Sequence, residues 1–127
     1  MKDGDRLVLV VPSGDKLKVE LVMTDESKKR GLMFRKRLPP GEGMFFFHAD
    51  EPKRRSMWMP NMKFPLDIVW LDGNLKIVSI RLNIQPCPSL AECPRVSSIV
   101  KCQHAIELPA GSAEDFDLEV GQTLRLA

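Results

Sequence analysis

Apolar and polar residues alternate along most of this chain, in short runs separated by turn residues. Residues 7–11, after Arg6, are apolar and largely β-branched, and beyond the turn at 12–16 the residues Leu17, Val19 and Leu21 alternate with polar ones on the way to Met23. Period-two alternation on both sides of a turn predicts a two-stranded hairpin. Thr24 suits a helix N-cap, Asp25 and Glu26 a first turn, and Lys28, Lys29 and Arg30 later turns, so a short helix is predicted over 25–34. The Pro39-Pro40-Gly41 stretch marks a loop. Three β-rich runs follow at 44–48, 56–59 and 66–71. Asp72-Gly73-Asn74 is the strongest hairpin signal in the chain, with 75–84 as the returning strand. A loop is expected over 85–98, a strand over 100–108, a turn of helix capped by Ser112 and a final strand over 122–126. Seven or eight short strands with one or two short helices predict a mainly β fold, a compact sandwich or barrel.

Composition narrows the picture. The 127 residues are 43% hydrophobic and 28% charged, which suits one domain over 1–127 with a real core and argues against a mostly disordered chain. No apolar run approaches the ~20 residues of a membrane span. The sequence as given opens without an export signal, which predicts a cytoplasmic location, or an exported one if a signal peptide precedes it. Net charge is +2, but nine Lys/Arg against three acids fall within 28–55, and one Arg against five acids within 103–127. Only one aromatic residue, Phe34, interleaves with the first part of that basic run. A solvated surface is therefore favoured over nucleic-acid binding, although an anionic partner would also suit it.

Three cysteines are too few for a disulfide scaffold. Cys87 and Cys93 in their Pro-rich loop can be free or bridged, and with Cys102 and His104 they also count as four zinc ligands. Their spacing is looser than that of structural zinc sites.

The central third carries a spaced pattern: Arg30-Gly31-Leu32-Met33-x-Arg35, Gly43-Met44, Trp58-Met59-x-Asn61, Pro65-Leu66-Asp67-Ile68 and Asp72-Gly73. It continues through Pro86, Glu107-Leu108-x-Ala110-Gly111 and Gly121, and as a set it resembles an uncharacterised prokaryotic family, domain of unknown function one-nine-two. The resemblance implies one compact β domain and no activity or cofactor. This chain has Pro60 and Met62 where relatives usually carry Lys and Thr, so any contact those side chains make is altered here.

Asp67 interrupts an apolar run and must face water or find a partner. Arg30 or Arg35 would suit as the other half of a buried ion pair, and a ligand-binding carboxylate is the sharper alternative. Asn61 has the character of a turn residue, and Trp58 adjoins it as a candidate pocket wall, whereas Trp70 is expected in the core. A ligand site is accordingly expected around Trp58, Asn61 and Asp67, with Arg30 and Arg35 holding an anionic group. The expected partner is a small molecule or a protein. The alternatives are a hydrolase working through Asp67, with Asp72, His48 or Glu107 as a second group, and a Cu(I)-handling protein using Met57, Met59 and Met62. No nucleophile elbow, phosphate loop or zinc-hydrolase helix occurs, which weighs against the familiar enzyme classes and leaves no catalytic residue assigned.

Overall fold

The computed structural model describes residues 1–127. Its strands are β1 (Arg6–Val10), β2 (Lys16–Val22), β3 (Glu42–Phe46), β4 (Ser56–Trp58), β5 (Leu66–Leu71), β6 (Ile77–Ile84), β7 (Arg95–Ser97), β8 (His104–Pro109) and β9 (Arg125–Leu126). Two short helices are α1 (Asp25–Arg30) and α2 (Ser112–Asp115). Seven strands form one sheet in the order β6-β5-β8-β3-β2-β1-β9, and β4 pairs with β7 in a separate two-stranded sheet. The large sheet curls into a half-barrel. Its ends approach where Lys76 bridges Thr123 and the amides of Ile77 and Leu124 donate to the carbonyls of Gln122 and Leu75.

All pairings are antiparallel except β2 with β3, which run parallel and are connected through α1. A parallel pair needs such a crossover, because a tight turn can only reverse the chain. The continuous apolar runs explain the order of the sheet. All six residues of β5 are buried, as are most of β3 and β8, so these are inner strands packed on both faces.

Alternation sends the residues of each strand to two cores. Leu9, Leu17, Val19, Leu21, Phe45, Val69, Ile106 and Leu108 pack on one face of the sheet. Met44, Phe46, Ile68, Trp70 and Ala105 pack on the other, beneath Leu32, Met59 and Met62.

Both expected hairpins form, β1 with β2 and β5 with β6. In the second, Asp72 Oδ1 accepts from the amides of Asn74 (2.8 Å) and Lys76 (2.9 Å). Thr24 caps α1, accepting from the Ser27 amide at 3.0 Å. The helix ends at Arg30 rather than at 34, because Gly31 turns to φ 47°. Three other expectations are corrected. Residues 95–97 form β7 inside the expected loop, since their partner β4 lies far off in sequence. The strand expected from 100 begins at His104, because Cys102 pairs instead with Lys53. Ser112 is the first residue of α2 rather than its cap, and its hydroxyl donates to the Pro109 carbonyl at 2.6 Å.

Candidate cleft above Glu107

On β8 the side chains of Ala105 and Glu107 share a face, and the register sets Glu107 between Met44 of β3 and Ile68 of β5. Glu107 is 4% exposed, and burial alone pushes its carboxyl up to about 8. The carboxyl has neither a hydrogen-bond partner nor an ion-pair partner in the protein. At neutral pH it is therefore protonated, offering one donor and one acceptor.

Two glycines let the chain pack this closely around it. A Cβ on Gly43 would overlap the Glu107 carbonyl and the Leu108 side chain. A Cβ on Gly31 would lie 3.4 Å from Phe46 Cζ and 3.8 Å from Glu107 Oε1, in a backbone conformation that strains any other residue.

Above Glu107 opens a cleft of about 500 Å³, within the range of small-molecule sites. The apolar part of its wall comes from Leu32, Met33, Phe46, Met57, Met62 and Trp58. Lys28, Lys29 and Arg30 of α1 line one side and Arg95 of β7 another, with Asp25 and Glu107 as the acids. Burial lowers the Lys28 ammonium from its ordinary value.

The lip opposite α1 is built by β4 and β7. Trp58 and Arg95 are directly paired, and the Arg95 guanidinium lies 5.5 Å from the Trp58 ring centre. Trp58 Nε1 donates to the Cys93 carbonyl at 2.8 Å, and Cys93 is disulfide-bonded to Cys87. The wall formed by 31–34 is held where the Phe34 amide donates to the Asn61 carbonyl at 3.0 Å, both residues having positive φ.

His48 also lines the cleft. Its Nδ1 is buried without a partner, and burial, then the Arg55 and Lys28 cations, lowers the ring to about 4. Its backbone amide donates to His104 Nδ1 at 3.2 Å.

A profile of the family described as Uncharacterized ACR matches residues 8–126. The chain belongs to this family, DUF192. Two solved structures resemble the DUF192 chain. One is a Sinorhizobium meliloti protein provisionally described as a transcription regulator, with TM-score 0.84 and 28% identity over 99% of this chain and 97% of that one. The other, a protein of unknown function from Novosphingobium aromaticivorans, has TM-score 0.81 and 25% identity, covering 94% and 83% of the two chains. Among curated proteins, none matches.

Within this DUF192 fold the residues singled out in the sequence fall in different places. Arg30 and Trp58 line the cleft. Arg35 lies outside it and pairs with Glu20 at 3.3 Å. Asn61 is an exposed turn residue contributing its carbonyl, as above. Asp67 faces the opposite side of the sheet from Glu107, the side of its strand neighbours Val69 and Leu71. It has no arginine partner. Its Oδ1 accepts from the Asn83 amide (2.9 Å), and its Oδ2 accepts from the amides of Gly111 and Ala113 (3.0 Å each). The ion pair expected with Arg30 or Arg35 is replaced by three backbone donors, which satisfy a carboxylate without bringing another charge into the core.

Of the methionine trio, Met57 and Met62 line the cleft and Met59 is in the core. The four possible zinc ligands do not form one set, since Cys87 and Cys93 are bridged and Cys102 is a buried free thiol. No helix is long and apolar enough to cross a membrane.

Glu107 is the residue that sequence reasoning underweighted. The available signal was a lone acid inside the apolar stretch Ala105-Ile106-Glu107-Leu108, the same signal that drew attention to Asp67.

Proposed function

We propose that the protein binds a small molecule in the cleft above Glu107. The observation that carries this reading is Glu107, a residue 4% exposed whose carboxyl has no protein partner, at the floor of a ligand-sized cleft with apolar and basic walls. A carboxyl with a raised proton affinity and no protein partner, reached from a cleft, is the kind of group that concentrates at functional sites. Arg30 and Trp58 belong to this site; Arg35, Asn61 and Asp67 serve the surrounding architecture. Three of the nine cations of the basic stretch are matched by acids, Arg35 by Glu20 and both Lys53 and Arg55 by Asp50, which reduces the charge it offers to a nucleic acid.

The test is a fragment screen followed by amide chemical shifts. Fragments that perturb Gly31, Phe46 and Trp58 together, and lose that effect in Glu107→Ala, support the reading. A screen in which no fragment moves these amides overturns it.

A second reading rests on one further observation. Glu107 and His48 line the same cleft with their proton affinities driven apart, to about 8 and about 4. A protonated carboxyl and a neutral imidazole are the states a general acid and a general base hold near pH 7, the imidazole being a weak base at so low a proton affinity. This moves the hydrolase alternative from Asp67 to Glu107. Glu107→Gln separates the two readings: it keeps a donor and an acceptor for binding but abolishes turnover.

A further inference from the structure

We infer that the cleft is shaped for a small organic anion whose far end is neutral and hydrogen-bonding: a carboxylate or phosphate at the rim, a short apolar middle, and an amide or carbonyl against Glu107. This rests on the small-molecule reading above and specifies its ligand class. The charges that face the cleft are Asp25, Lys28, Lys29 and Arg30 from α1, Arg95 from β7, His48 beyond β3 and Glu107 from β8. With His48 neutral and Glu107 protonated, four cations oppose one acid. An anionic group at the rim is therefore attracted, and Arg30 can hold it bidentately.

The inner end follows from chemistry at the floor. A protonated carboxyl presents one O–H and one C=O side by side, the complement of a primary amide or similar group. An ammonium at the same place would require Glu107 to ionise in its apolar surroundings, and would bring a further cation into a cleft already rich in them. Phe46 and the Met57 thioether supply the apolar middle, and a flexible thioether adapts to chains of different shape.

Two probes of equal chain length isolate the inner end: adipate monoamide and 6-aminohexanoate. Both carry a carboxylate, and they differ in ending as amide or ammonium. At about pH 6.5 the monoamide is expected to bind at least about tenfold tighter. Its affinity is expected to fall about tenfold by pH 9, where Glu107 has lost its donor, and to lose most of that fall in Glu107→Gln. Arg30→Gln is expected to weaken the monoamide while leaving uncharged hexanamide unaffected, which assigns the rim end. Tighter binding of 6-aminohexanoate, growing stronger with pH, overturns the inference in favour of a cationic inner end. Failure of the monoamide while other fragments still move the cleft amides overturns the ligand class alone; silence from every fragment overturns the small-molecule reading itself.

Discussion

Glu107 and Asp67 are both acids set into apolar strands, and their surroundings give them opposite characters. Asp67 receives three backbone N–H groups, which satisfy its carboxyl oxygens within the sheet. Glu107 receives none, and burial holds its proton up to about 8. The difference has a measurable consequence for stability. Near pH 7 unfolding lets the Glu107 carboxyl ionise, which favours the unfolded chain. Glu107→Gln removes that ionisation and keeps the side-chain shape. It is expected to raise stability at pH 7 by roughly 1–3 kcal/mol, measured by urea unfolding, and to change it little near pH 4.5. A loss of stability at pH 7 would show that Glu107 makes native contacts a glutamine cannot replace.

Among the elements, the β4–β7 lip depends most on a covalent link. The Cys87–Cys93 bridge closes a short loop, worth about 2 kcal/mol on chain-entropy grounds. It also fixes the carbonyl that Trp58 Nε1 donates to. Replacing both cysteines by serine is expected to cost about 2 kcal/mol and to make Trp58 more accessible to acrylamide. The other tryptophan, Trp70, is fully buried, so increased quenching would report on the lip. Unchanged quenching would mean that the β4–β7 pairing holds Trp58 unaided.

Legibility in the sequence followed the range of the interactions. Both hairpins, the α1 cap and the mainly β class rest on neighbours in the chain, and each was readable there. The β7 strand, the parallel β2–β3 pair and the pairing of Cys102 with Lys53 are long-range, and local pattern carries no trace of them. Arg30 and Trp58 were readable as site candidates because they stand in the spaced motifs. Glu107 also stands in the spaced motifs and was readable as a second acid–base group, but its lack of a partner is a property of the folded sheet. Asp67 drew the opposite error: a buried acid suggested a salt bridge, and no pattern announces backbone amides arriving from Asn83, Gly111 and Ala113.

For the molecule as a whole, these titrations set a pH of greatest stability. Between its ordinary value of 4.5 and its native value of about 8, Glu107 keeps a proton that the unfolded chain has lost, so stability falls as pH rises through that window. His48 and His104 act the other way. Burial lowers both from 6.5 to about 4, so on acidification through that window the unfolded chain takes up protons the native state refuses, and stability falls. Below pH 6.5 two histidines outweigh one glutamate; above it the glutamate acts alone. Melting temperature is therefore expected to peak near pH 6.5 and to lose its decline between there and pH 8 in Glu107→Gln. A wild-type profile flat from pH 6.5 to 8 would contradict the assignment of Glu107.

The Asp67 clamp also has a consequence in time. One side chain on β5 holds amides that lie 16, 44 and 46 residues away, on β6 and at the start of α2. Three donors share this one acceptor, so in heavy water its removal in Asp67→Ala is expected to speed hydrogen exchange at Asn83, Gly111 and Ala113 together, loosening β6 and the start of α2 as one unit.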